Sequence, residues 1–229
     1  MCKQKGNSFC IELGAEVSAW SNQAPLAKPF WINESLNSFT TAYSLALEGK
    51  IYEARSSLKN SMDDALRTWF DIHAQNTGTW RLKAQNVSAP AKINSLDSVK
   101  VFTKFEEALF QRDNYRCRYC QSKVIPRKVF RTLQKLIGEE FLYLKGTNAV
   151  RSGDYLMFCA TLDHVFPHSL GGRTGENNLV TCCWSCNYGK SSYTLAQLGL
   201  DDPFTRPVCV DSSWQGITGP IHLENIPRC

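Results

Sequence analysis

LDHVFPHSLGGRTGENNLVTCCWSCNYGK, residues 162–190, is the stretch that decides the fold. Before it, the apolar run Tyr155 to Cys159 leads into Leu162-Asp163-His164-Val165, and Pro167 with Gly171-Gly172 then breaks the pattern. That reads as a strand ending in a loop. Asn178-Leu179-Val180-Thr181 reads as a second short strand, and the Cys183-to-Cys186 turn opens a helix carrying Asn187 and Lys190. The expected order is strand, loop, strand, helix, which makes the fold class α+β.

Outward from this stretch, RCRYC (residues 116–120) supplies Cys117 and Cys120, the same spacing as Cys183 and Cys186. A C-x2-C pair places two thiolates on one tight turn, and two pairs give the four soft ligands of a tetrahedral structural zinc. Cys182 would give a three-residue spacing, so Cys183 is the better ligand. Free buried thiols at chance spacing are the competing reading. A zinc site here would pin the start of a domain to its end.

The whole arrangement resembles the HNH endonuclease family, whose ββα-metal (His-Me finger) core carries a first-strand Asp-His, a central Asn and a last His or Asn on the helix. The matching residues are Asp163, His164, Asn178 and Asn187, and the likeness covers about residues 100 to 205. The departure is Asn187 in place of a final His, a variant also familiar in that family. The resemblance implies hydrolysis of DNA phosphodiester bonds. His164 would be the general base, because imidazole alone has an unperturbed pKa near neutrality. Asp163 and the Asn187 amide oxygen would hold Mg2+ or Mn2+, hard cations that prefer oxygen. Asn178 would hold the loop and orient the imidazole. Since neighbours in a regular strand face opposite ways, Asp163 and His164 could act at one phosphate only if the strand bends there. An isolated Asp-His pair at a strand end is more often a surface hydrogen-bonding pair. His168 reads as a loop residue.

Lys190 and Arg173 flank the Asp-His and Asn positions and are candidate phosphate contacts, although a charge beside a helix is commonly just solvated. Pro126 suits a helix start, and Val129, Leu133 and Leu136 form an apolar stripe ending at Gly138, with Lys128, Arg131 and Lys135 on another face. Those three could lie along a DNA backbone or form a solvated surface. The 229-residue chain has a net charge of +5. Residues 101–200 carry 13 basic and 8 acidic side chains, against 11 and 9 in residues 1–100, so the excess sits where a polyanion would bind.

The expected organisation is a helical module over 1–85, a linker over 86–99, the nuclease domain over 100–205 and a tail over 206–229. In the module, Asn33 or Ser35 is placed to cap a helix with Leu36, Phe39, Tyr43 and Leu47, ended by Gly49. A second helix from Ile51 shows Ala54, Leu58, Met62, Ala65 and Trp69 at helical steps. These helices can dock a protein partner or grip DNA. His73, Asn76, Trp80 and Arg81 read as capping and packing residues. A hydrophobic content of 43% excludes general disorder. No run of 18 apolar residues and no leader pattern appears, so the expectation is a cytoplasmic protein with reduced cysteines and no membrane contact. Two other function classes fit the same sequence: a zinc-stabilised nucleic-acid-binding module without turnover, and a protein–protein adaptor.

Overall fold

The computed structural model describes residues 20–61, 63–75, 77–93 and 102–217, the side chains of 102–105 excepted. Met62, Asn76 and the cysteines at 2, 10 and 229 lie outside the described residues. In chain order the helices are α1 (Ile32–Leu47), α2 (Ile51–Lys59), α3 (Asp63–Trp69), α4 (Thr77–Gln85), α5 (Phe102–Arg112), α6 (Arg127–Ile137) and α7 (Gly153–Phe158). Then come β1 (Ala160–His164), β2 (Leu179–Cys183), α8 (Trp184–Lys190) and α9 (Leu195–Leu198). The fold is α+β, with helices gathered around a two-stranded antiparallel sheet.

Helix α1 forms where its apolar residues recur at three- and four-residue steps, burying Leu36, Phe39, Ala42 and Ala46. It starts at Ile32 after Trp31, so neither Asn33 nor Ser35 is its cap, and Leu47 is exposed. Gly49, at φ +78°, turns the chain back into α2. The single helix expected from Ile51 to Trp69 is two. Ser61 donates its hydroxyl to Asp154 Oδ2 at 2.6 Å, and Asp63 Oδ1 accepts from the Asp154 amide at 3.0 Å. The start of α7 thus takes up the polar groups at the break. Gly153 is required there, since a Cβ would stand 2.2 Å from the Asp63 carbonyl. Residues 70–74 then form a π turn ahead of α4.

Another correction concerns Tyr155–Phe158, expected to lead into a strand but folded as helix α7 and buried throughout. A short apolar run carries no periodicity that separates a buried strand from a buried helical turn. Helix α6 follows the expected stripe at Val129 and Leu133, completed by Phe130 and Ile137, while Leu136 is partly exposed.

One continuous cluster of buried side chains joins Phe39 of α1, Leu58 of α2, Leu66 of α3, Leu133 of α6, Leu156 of α7 and Leu179 of β2. The Phe39 and Phe130 rings lie 4.8 Å apart within it. Arg81 of α4 is almost fully buried and donates to the carbonyls of Ser21, Ala24, Pro25 and Leu198. A guanidinium with its donors occupied in this way tolerates burial, and it fixes residues 21–25 against the end of α9. Helices α4 and α8 approach so closely that a Cβ on Gly78 would stand 2.5 Å from the Gly189 carbonyl. No helix among the described residues is long and apolar enough to cross a membrane.

Candidate metal centre and active site

The two C-x2-C turns meet. The Sγ atoms of Cys117, Cys120, Cys183 and Cys186 all lie within 4.8 Å of one another, as four ligands of one tetrahedral ion require. The first turn is set by Gln121, in the left-handed region at φ +60°, whose amide donates to the Cys117 carbonyl. Arg118 ties that turn to β2 through its amide and the Thr181 carbonyl at 2.8 Å. The second turn is the start of α8, where the Cys186 amide donates to Cys183 Sγ at 3.4 Å. Cys182 is outside the cluster: burial pushes its thiol well above the ordinary range, and the thiol donates to the Cys183 carbonyl. The donor set, three of its residues fully buried, fits zinc.

Residues 160–164 pair with 179–183, Asp163 opposite Val180 and His164 opposite Leu179. The ladder therefore continues through His164, and the expected bend between 163 and 164 is missing. The two side chains take different surroundings, as strand alternation dictates. His164 Nε2 lies 3.0 Å from the Thr174 hydroxyl, and the His164 and His168 rings are 5.3 Å apart. Burial, then the charges of His168 and Lys190, push the imidazole down from 6.5 to about 4. His164 is thus neutral at physiological pH and able to accept a proton.

Asp163 faces inward. Its Oδ2 accepts from the Tyr119 hydroxyl at 2.7 Å and lies 3.1 Å from the Lys190 ammonium. Expected to contact phosphate, Lys190 is instead fully enclosed, donating to the His164 carbonyl at 2.8 Å as well as pairing with Asp163. Burial raises the Asp163 carboxyl's pKa, against the pull of Lys190 and the Tyr119 hydrogen bond. Asn187 reaches across from α8 to β1, its amide nitrogen donating to Thr161 Oγ1 at 3.0 Å and the Leu162 carbonyl at 3.2 Å. It also borders a cavity of about 410 Å³ whose other walls include Tyr188 and Tyr193 and, from the N-terminal region, Gln75 before α4 and Thr79 within it. A hydrated divalent cation needs oxygens open to water. Asn187 borders such a space. The Asp163 carboxylate is covered, so as arranged the two residues do not fit that cation together.

Asn178 staples the loop. Its side chain accepts from the Phe166 amide at 2.8 Å and donates to the carbonyls of Phe166 and Arg173, while its own carbonyl accepts from the Val165 amide. Asn178 therefore fixes both ends of the segment that carries His168 and Thr174. Gly172 is needed inside it, because a Cβ would meet the Phe166 carbonyl at 2.0 Å. Arg173 is exposed on the loop. Lys128, Arg131 and Lys135 stand on the exposed side of α6, with Lys128 3.2 Å from Glu107.

The chain's strand, stapled loop, strand and helix can be compared as a unit with known families. Residues 158–201 match the HNH endonuclease family. No curated protein and no solved structure matches the chain. The HNH match takes in β1, the loop, β2, α8 and α9, and with them Asp163, His164, Asn178, Cys183, Cys186 and Asn187. It supports nuclease-type chemistry on nucleic acid, for which HNH proteins use divalent metals.

Several residues of this centre gave no sequence signal. Tyr119, inside the RCRYC turn, was readable only as a spacer, and Thr174 only as a loop residue. Lys28 is the furthest removed: its ammonium lies 3.2 Å from Cys183 Sγ and hydrogen-bonds the Ser185 hydroxyl. Burial would lower the Lys28 pKa, but the charges of Cys183, Cys120, Cys186 and Cys117 outweigh it and hold the ammonium protonated.

Proposed function

We propose that this protein is an HNH endonuclease that hydrolyses DNA phosphodiester bonds, with a ββα-metal core formed by β1, β2 and α8 and a structural zinc on Cys117, Cys120, Cys183 and Cys186. The observation that carries the reading is the position of His164 at the end of the first strand of the HNH-matching segment, where burial pushes its imidazole toward the neutral form. A base must be unprotonated to take a proton from water, and burial keeps His164 so. Asn178 acts through the loop it staples, keeping Thr174 beside the His164 ring. Zinc, when bound, ties the 117–120 turn to the start of α8, and so holds Asn187 and Lys190 in place beneath β1. Arg173 is a phosphate contact at the loop, and Lys128, Arg131 and Lys135 offer a sequence-independent contact to the DNA backbone. In this assignment residues 100–205 are the nuclease unit and the N-terminal helices support α8.

The expected Mg2+ or Mn2+ at Asp163 and Asn187 requires Lys190 to withdraw from the carboxylate. That burial also favours a second reading, a zinc-stabilised nucleic-acid-binding module without turnover. Supercoiled plasmid incubated with wild type and His164→Ala at matched zinc content, in Mg2+, Mn2+ or EDTA, separates the two. Nicking or linearisation by wild type, reduced at least a hundredfold in the variant, is the expected result. Salt-sensitive binding with intact plasmid under every condition would favour the binding module.

A further inference from the structure

Among the described residues, Lys28 is the charged side chain whose nitrogen donates to one of the four clustered sulfurs. Its position is built. Arg81 holds the carbonyls of Ser21, Ala24 and Pro25, and Leu26 is buried against α8, where a Cβ on Gly189 would meet its Cδ2 at 2.6 Å. The ammonium also stands 5.7 Å from the centre of the Trp69 ring, a favourable place for a cation. Two parts of the N-terminal region therefore fix Lys28, and the Ser185 hydroxyl of α8 accepts a hydrogen bond from its ammonium.

The charge balance gives this arrangement a purpose. Four thiolates around Zn2+ leave a formal charge of minus two, in a place where three of the cysteines are fully buried. Uncompensated buried charge is costly. A hydrogen bond from a cation offsets that charge and withdraws electron density from the sulfur, so the thiolate is less open to protonation and to the loss of metal that protonation brings. We infer that Lys28 is the outer cation of the metal centre: its ammonium, donating to Cys183 Sγ, retains zinc and docks the N-terminal segment onto α8. This rests on the zinc reading of the four cysteines and assigns to the N-terminal region a role in metal retention.

The test uses the full chain loaded with zinc or cobalt. Chelator-driven zinc release is followed with a colorimetric zinc indicator, and the thiolate-to-cobalt charge-transfer band is recorded in wild type, Lys28→Met, Lys28→Arg and Lys28→Gln. A charged hydrogen bond of ordinary strength predicts release about tenfold faster in Lys28→Met. The band should move to lower energy there as the Cys183 thiolate becomes more electron-rich, and Lys28→Arg should keep both properties near wild type. Should Lys28→Met not fold, Lys28→Gln, which removes the charge and leaves the Ser185 contact to Cys183 Sγ in place, carries the test with a shift in the same direction. Unchanged release and an unmoved band overturn the inference. Faster release with an unmoved band, in Met and Arg variants alike, also overturns it, because packing alone would explain that result. Wild type that binds no stoichiometric zinc removes the zinc reading and this inference together. Stoichiometric zinc indifferent to Lys28 removes the inference alone.

Discussion

Replacing Lys190 by methionine exposes how much of the HNH segment's stability rests on one buried pair. The ammonium is fully enclosed, lies 3.1 Å from Asp163 Oδ2 and donates to the His164 carbonyl at 2.8 Å. Methionine is close in length, so packing is largely kept and the loss is electrostatic. Asp163 would be left buried with the Tyr119 hydroxyl as its remaining partner. Breaking one side of a buried pair costs about 3–5 kcal/mol. For a chain of this size that corresponds to a fall in Tm of roughly 10 °C. The assay is thermal and urea unfolding of Lys190→Met, Asp163→Asn and the double variant. The double variant should recover a large part of the loss, because it leaves no unpaired charge. A loss below about 1 kcal/mol, the size of an exposed pair, would refute the reasoning and place Lys190 in contact with water.

Removing zinc from the four cysteines should cost the HNH segment its fold, because the site joins residues 117–120 to 183–186. Circular dichroism before and after chelation, with recovery on readdition of zinc, checks this. His164, with its folded pKa lowered to about 4 from an ordinary 6.5, is neutral in the folded protein where the unfolded chain would already be protonated. Its contribution to stability is complete above pH 6.5 and is lost as pH falls toward 4. An imidazole NMR titration should find a midpoint well below 6.5, and the acid limb of cleavage assigned to His164 should shift with it. Gly78→Ala brings a Cβ to 2.5 Å from the Gly189 carbonyl and 3.1 Å from the Tyr193 ring. Overpacking of this kind costs about 1–3 kcal/mol, measurable by urea unfolding, and plasmid cleavage should fall if the N-terminal helices position α8.

The features legible in sequence are those encoded by short spacing. The two C-x2-C turns, the strand at Asp163-His164, the second strand and the helix opening at Cys183 follow from patterns a few residues long. Local geometry enforces such patterns wherever the segment sits. Asn178 was legible as a loop-holding residue for the same reason, its partners being 5 and 12 positions away. The tertiary structure alone decided the rest. The helix from Ile51 breaks because Asp154, more than 90 positions away, takes hydrogen bonds at the break. Lys190, at helical spacing from Asn187, looked available to phosphate, but the packing of α8 beneath β1 encloses it against Asp163. Lys28 reaches Cys183 across 155 positions of chain. Periodicity reports which face of an element is apolar. Which charge is buried, and against what, depends on where the elements meet, and no local pattern encodes that.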